Sequence, residues 1–161
     1  MTPLNLPKYN LRITIRDQKK YIWDRLRRKY VALTPEEWVR QNFIEFLISE
    51  KNYPETLMNN EIGINLNGMT KRCDTVVYAS TSSPLLIVEY KAPQITINQM
   101  VFDQIVRYNM VLKVPFLIVS NGLNHYCCAV DYNSHKCHFI ADIPTYEELV
   151  NTELNSNNQT L

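Results

Sequence analysis

The spacing of apolar and polar positions changes several times along the chain, and each change predicts an element. Leu11 to Ile15 alternates, as a short extended segment does. Thr34-Pro35-Glu36-Glu37 then opens a helix: Thr34 can cap it, Pro35 suits its first turn, and two acids favour the positive end of the dipole. Val39, Phe43, Phe46 and Leu47 recur at helical spacing as its buried face, and after Glu50 the run Asn52-Tyr53-Pro54 ends it. Glu61 to Leu66 alternates again, Asn67-Gly68 is a hairpin signal, and Lys71 to Ala79 is the returning strand. Leu85-Leu86-Ile87-Val88 is apolar throughout, which predicts a central strand covered on both faces.

The helical period returns from Asn98 to Leu112, with Asn98 as cap and Val101, Ile105, Tyr108 and Leu112 on one stripe. Phe116 to Val119 is the next strand, closed by Asn121-Gly122, and a strand, helix and strand in that order predict a parallel pair. Tyr126 to Val130 and Lys136 to Ile140 form a closing hairpin around Asp131-Tyr132-Asn133-Ser134. The expected fold class is therefore α/β, a mixed sheet flanked by helices in the order α-β-β-β-α-β with a C-terminal hairpin. Residues 1–30 read as an N-terminal extension, 31–146 as the domain, and 147–161 as a polar, mobile tail.

Composition narrows the class. With 161 residues, 45% hydrophobic and 20% charged, the chain resembles an ordinary single globular domain. No stretch approaches the roughly 20 apolar residues of a spanning helix, and Met1 to Asn10 has no apolar signal core, so a cytoplasmic protein with no membrane partner is expected. Four cysteines at uneven spacing predict reduced thiols. Net charge is only +1, yet Arg16, Lys19, Lys20, Arg25, Arg27, Arg28 and Lys29 crowd one region, interleaved with Tyr21, Trp23 and Tyr30. Such a run suits either a phosphate-facing segment or a solvated helix face.

Chemistry concentrates elsewhere. Glu89 and Lys91 lie two apart at the end of the apolar strand and so share a face, and Asp74 stands on the preceding strand. If the strands are neighbours, Asp74 and Glu89 can share a hard divalent cation such as Mg2+ or Mn2+, which keeps several waters and takes a substrate phosphate. Lys91 can orient a bound water, assist its deprotonation or stabilise the transition state. A salt-bridged trio at a sheet end is the bland alternative.

Lys71-Arg72-Cys73-Asp74-Thr75-Val76-Val77-Tyr78 and Leu86-Ile87-Val88-Glu89-Tyr90-Lys91-Ala92-Pro93 resemble the core motif of PD-(D/E)XK (restriction endonuclease-like) nucleases. Together with Thr34 to Gln41 and Phe102 to Asn109, they resemble the nuclease domain at the N-terminus of type I restriction enzyme R subunits, over roughly Tyr30 to Tyr146. The resemblance implies that Asp74 and Glu89 bind metal, that Lys91 is catalytic, and that Gln104 and Tyr108 form the Gln-x-x-x-Tyr motif that serves nuclease function. It also implies a magnesium-dependent DNA endonuclease, with DNA and restriction-modification subunits as partners. Nucleases of this fold often add a glutamate from the first helix; Glu36, placed nearer the Val39/Phe43 stripe than Glu37 by periodicity, is expected there. Arg27, Lys29, Gln104 and Tyr108 are the expected DNA contacts.

The sequence departs from that family in having Cys73 where the motif has proline, and no phosphate-cradling loop exists among three glycines, so no ATP-driven motor is expected in this chain. A non-cleaving DNA-binding or protein-interaction module retaining the fold is the alternative function. Because two cuts in a duplex need two active centres or two visits, a homodimer is a further expectation. The soft ligands in His125-Tyr126-Cys127-Cys128 and His135-Lys136-Cys137-His138 raise a zinc site, but alternation sends Cys127 and Cys128 to opposite faces; buried cysteines with exposed histidines are expected instead.

Overall fold

In a computed structural model, which describes residues 1–66, 69–79, 83–110, 112–132, 134 and 136–158, Thr34 opens helix α1 (Pro35–Lys51). Its Oγ1 accepts the Glu37 N–H at 3.0 Å, and Asn52 ends the helix in the left-handed region at φ 58°. The buried stripe runs through Val39, Phe43, Ile44 and Leu47, each fully buried, while Phe46 is only half-buried at the rim. The helix is thus rotated slightly from the expected face. Glu37 and Arg40 are buried and Glu36 is half-buried, so the more enclosed acid of the first turn is Glu37, although helical spacing puts Glu36 nearer the stripe.

Six strands form the central sheet: β4 (Met58–Leu66), β5 (Met69–Tyr78), β6 (Pro84–Tyr90), β7 (Phe116–Ser120), β8 (His125–Asp131) and β9 (Lys136–Ile140), paired in sequence order. Among the described residues only β6 and β7 are parallel, joined through helix α2 (Gln99–Met110), whose start is capped by Asn98 Oδ1 accepting the Val101 N–H at 3.0 Å. Leu66 pairs with Met69 on either side of Asn67-Gly68, which lie outside the described residues, as do Asn133 and His135. Leu85 to Val88 are almost wholly buried, because α1 covers one face of β6 and α2 the other. Val88 and Ile118 pack toward α1, whereas Ile87 and Leu117 pack toward Phe102, Ile105 and Val106 of α2.

Two segments are more ordered than the sequence suggests. Before α1, the basic run is an antiparallel sheet of β1 (Ile13–Arg16), β2 (Lys19–Asp24) and β3 (Lys29–Ala32) rather than a helix. Ahead of it, Leu4 and Leu6 pack against the α1-side core, and the Asn5 N–H donates to the Gly122 carbonyl at 2.7 Å. Gly122 has φ 81°, a backbone conformation that favours glycine, and a Cβ there would lie 2.7 Å from Leu4 Cδ2 and push that side chain aside.

After Pro144, the expected polar tail is instead helix α3 (Tyr146–Asn158). Thr145 and Glu148 cap it reciprocally: the Thr145 N–H donates to Glu148 Oε2 at 2.7 Å and the Glu148 N–H to Thr145 Oγ1 at 3.3 Å. The Thr145 N–H and the Thr145 hydroxyl, both donating to Glu148 Oε2, hold the Glu148 carboxyl below its ordinary value. Leu149 is 1% exposed in the same core cluster as Tyr53 and Ile143. Leu149→Ala should therefore cost about 2–5 kcal/mol in urea unfolding; a mobile tail would leave the midpoint unchanged.

Candidate functional site

The ladder between β5 and β6 runs from Val77↔Leu86 to Thr75↔Val88, and the next residue outward is Asp74. Here the main-chain pairing gives way to a side chain: the Tyr90 N–H donates to Asp74 Oδ2 at 2.9 Å. On the other side of β5, Asn60↔Thr75 and Ile62↔Cys73 bracket Glu61, which has φ 56°, a left-handed conformation uncommon for a residue with a side chain. Alternation is interrupted at the same point, since Cys73 and Val76, three apart, both pack on the α2 side. Asp74 is thus set where two strands part.

Its other oxygen meets α1. Arg40, 3% exposed, donates from Nη2 to Asp74 Oδ1 at 2.8 Å, and its Nη1 lies 2.7 Å from Glu37 Oε2 and 2.8 Å from Glu61 Oε1. The guanidinium carbon lies 5.5 Å from the centre of the Tyr90 ring. Burial opposes the arginine charge, but Glu37, Asp74, Tyr90 and Glu61 together outweigh it and hold its pKa above the ordinary value. Sequence reasoning missed this residue. Its signal was a charge one position from Val39 and three from Phe43, which an apolar stripe tolerates only with buried partners.

The contacts close into a ring. Glu37 also receives Arg27 Nη2 at 3.2 Å, Arg27 binds the fully buried Asp24, and Asp24 Oδ2 accepts Asn60 Nδ2 at 2.9 Å. Thr75 Oγ1 then donates to Asn60 Oδ1 at 2.6 Å and receives the Tyr90 hydroxyl at 3.0 Å, and Tyr90 returns through its N–H to Asp74. Arg27, expected to meet DNA, has both of its acids inside the protein. Lys29 is exposed at the start of β3, opposite Asp24.

Glu89 and Lys91 line one side of a groove of about 550 Å3, and Val101, Gln104, Ile105 and Arg107 of α2 line the other. The Lys91 N–H donates to the Ser120 carbonyl at 2.9 Å, which fixes its backbone beside β7. Gln104 and Arg107 are exposed, Glu89 and Lys91 half-buried. The Tyr108 side chain lies outside the described residues. Glu36 stands close enough to sense the same charges: its carboxyl is raised first by burial and then by Asp74, against the lowering effects of Arg40 and Lys91. The structure therefore brings Glu89, Lys91 and Gln104 to one groove, and Glu36 and Asp74 into electrostatic reach of each other. Among the described residues, no three His, Cys, Asp or Glu side chains are gathered as ligands of one ion.

In the closing hairpin, Cys127 faces the α1-side core and Cys128 the α2-side core, as alternation requires. Burial raises both thiols. His125 is engaged by Ser120 Oγ at 2.8 Å and the Asn5 carbonyl at 3.2 Å, and His138 is exposed.

Against known proteins, the family described as Type I restriction enzyme R protein N terminus (HSDR_N) matches residues 35–144, well over half of the chain. Among solved structures, a fragment of an HsdR subunit of a type I restriction enzyme from Vibrio vulnificus is similar, with a TM-score of 0.52 and 20% identity, across 74% of this chain. That likeness supports the mixed α/β fold. The aligned part is 25% of the other chain, so the protein described here corresponds to about a quarter of it. No curated protein matches. In these residues, from the cap of α1 through the closing hairpin, the chain belongs to the type I restriction enzyme R protein N-terminal family.

Proposed function

We propose that this chain is a magnesium-dependent DNA endonuclease domain that hydrolyses phosphodiester bonds, acting with the other subunits of a type I restriction system. One observation carries the reading: Glu89, Lys91 and Gln104 line a single open groove beside the point where Asp74 parts β5 from β6. The donor chemistry fits magnesium, because Asp74 and Glu89 offer only carboxylate oxygens near the ends of the neighbouring strands β5 and β6, and this ion takes one or two carboxylates with waters and phosphate. Glu36, within electrostatic reach of Asp74 and Lys91, is the third acid. A bound magnesium or manganese ion would supply an activated water and a counter-charge for the phosphate. Lys91 presents an ammonium in the groove, where it either orients the attacking water or offsets charge growing on the phosphodiester. Gln104 and Arg107, exposed on the facing helix, are placed to bind the DNA backbone, and Tyr108 shares that helix.

The hold of Arg40 on Asp74 favours a second reading, a domain that binds DNA without cutting it. Digestion of duplex and single-stranded DNA by the purified protein, with magnesium or manganese and beside Lys91→Ala, separates the two. The nuclease reading expects metal-dependent cleavage that falls roughly a hundredfold or more in Lys91→Ala. Binding that survives without any cleavage favours the second reading.

Glu36 provides a test of the site's electrostatics without turnover. Its carboxyl is raised mainly by burial, so the folded state holds the proton more firmly than the unfolded chain does. The resulting stability is fully present below the unfolded pKa and is lost as pH rises through the higher folded value. Glu36→Gln should therefore raise Tm at neutral pH in metal-free buffer, and the gain should vanish under acid conditions, below the ordinary carboxylate range. A gain independent of pH would contradict this origin.

A further inference from the structure

The three-stranded sheet before α1 lies outside residues 35–144, and its two faces differ in chemistry. Ile22 and Asp24 of β2 point inward and are fully buried. Tyr21 and Trp23 alternate to the outer face, where Trp23 pairs with Tyr30 of β3 and Arg16 of β1 pairs with Lys19. The Trp23 N–H donates to the Arg12 carbonyl at 2.9 Å, which extends the ladder and brings Arg12 to the same face. Three aromatic rings and three cations thus occupy one sheet surface, and no acid stands at a strand position on that face. Asp17 lies in the turn beside it.

These cations are available, unlike their neighbours in sequence. Arg25 is clamped by Glu45 at 3.0 Å and Glu55 at 2.7 Å, and Arg27 by Asp24 and Glu37. Among the described residues, no ion pair engages Arg12, Arg16 or Lys19; the Arg16 guanidinium carbon lies 5.1 Å from the centre of the Tyr30 ring. Trp23 and Tyr30 meet edge to face at 5.2 Å, which leaves both half-exposed. At one end of the face, Trp23, Arg12 and Asn10 line a cavity of about 520 Å3, whose acids Glu45 and Glu55 are the two already paired with Arg25.

We propose that this outer face binds single-stranded nucleic acid, stacking unpaired bases on Trp23 and Tyr21 and holding phosphates with Arg12, Arg16 and Lys19. Aromatic rings on an open sheet read the π-faces of unpaired bases, which a duplex keeps inside its own stack. The charge complements a sugar-phosphate backbone without specifying sequence. The inference rests on the proposed function only in taking nucleic acid as the partner, and it places that partner's free strand away from the Glu89/Lys91 groove.

The test is fluorescence anisotropy with the full chain, a labelled oligothymidine and a duplex of equal length, in chelator so that nothing is cut. The oligothymidine should bind more tightly than the duplex. Trp23→Leu should weaken it roughly 5- to 150-fold, the range of one lost base stack. Lys19→Gln should reduce the slope of log K against log salt by about 0.7. Circular dichroism checks the fold of each variant, and Tyr21→Ala stands in if Trp23→Leu does not fold. Equal or tighter binding of the duplex, or variants that bind as the parent does, overturns the proposal. Because chelated protein cannot cut, these outcomes are independent of cleavage: a protein that digests duplex yet ignores oligothymidine refutes this surface and leaves the nuclease reading standing.

Discussion

The buried guanidinium of Arg40 is the constraint around which the site is arranged. An arginine at 3% exposure is tolerable only when its charge is met inside the protein, and removing one partner of such a pair typically costs 3–5 kcal/mol. Glu37 meets it from its own helix, Glu61 from β4 and Asp74 from β5. The same carboxylate of Asp74 accepts the Tyr90 N–H of β6, so one arginine determines how three strands and a helix stand relative to one another. The left-handed backbone at Glu61 follows from this arrangement: Arg40 and the exposed Arg72 both bind its carboxylate, offsetting a conformation that costs on the order of 1–3 kcal/mol.

Stability and candidate chemistry therefore share an atom set. Asp74 carries the ring of hydrogen bonds on the α1 side, whereas Glu89 lines the groove on the α2 side. Glu89 and Lys91 lie outside the ring, on the α2 side, so changes there are separable from folding in a way that changes at Asp74 are not.

Much of the fold is legible in the sequence because burial leaves a pattern. The strand at Leu85 to Val88 is apolar at every position since both its faces are covered, and Thr34 and Asn98 cap the helices they precede. The N-terminal sheet is harder to read, because its outward positions are cationic or aromatic and only Ile22 and Asp24 are wholly enclosed. Helix α3 has a sequence signal in Thr145-x-x-Glu148, obscured by the polar residues after it. Of the site, the acids and lysine are legible as types at a spacing. The ring is not, since it joins residues between positions 24 and 90 whose meeting depends on the finished fold.

The rotation of α1 shows how a small packing choice decides chemistry. Had Phe46 rather than Ile44 taken the fully buried place, the stripe would have turned Glu37 and Arg40 toward water. Placing Ile44 inside brings that pair over Tyr90 and Asp74, and leaves Glu36 half-buried at the edge of the same charges. Arg40 shares three carboxylates, so withdrawing Asp74 toward another cation would still leave it Glu37 and Glu61. A single pair could not release its acid without stranding a buried charge. The surplus of acids around one arginine thus means that its buried charge does not depend on Asp74 alone.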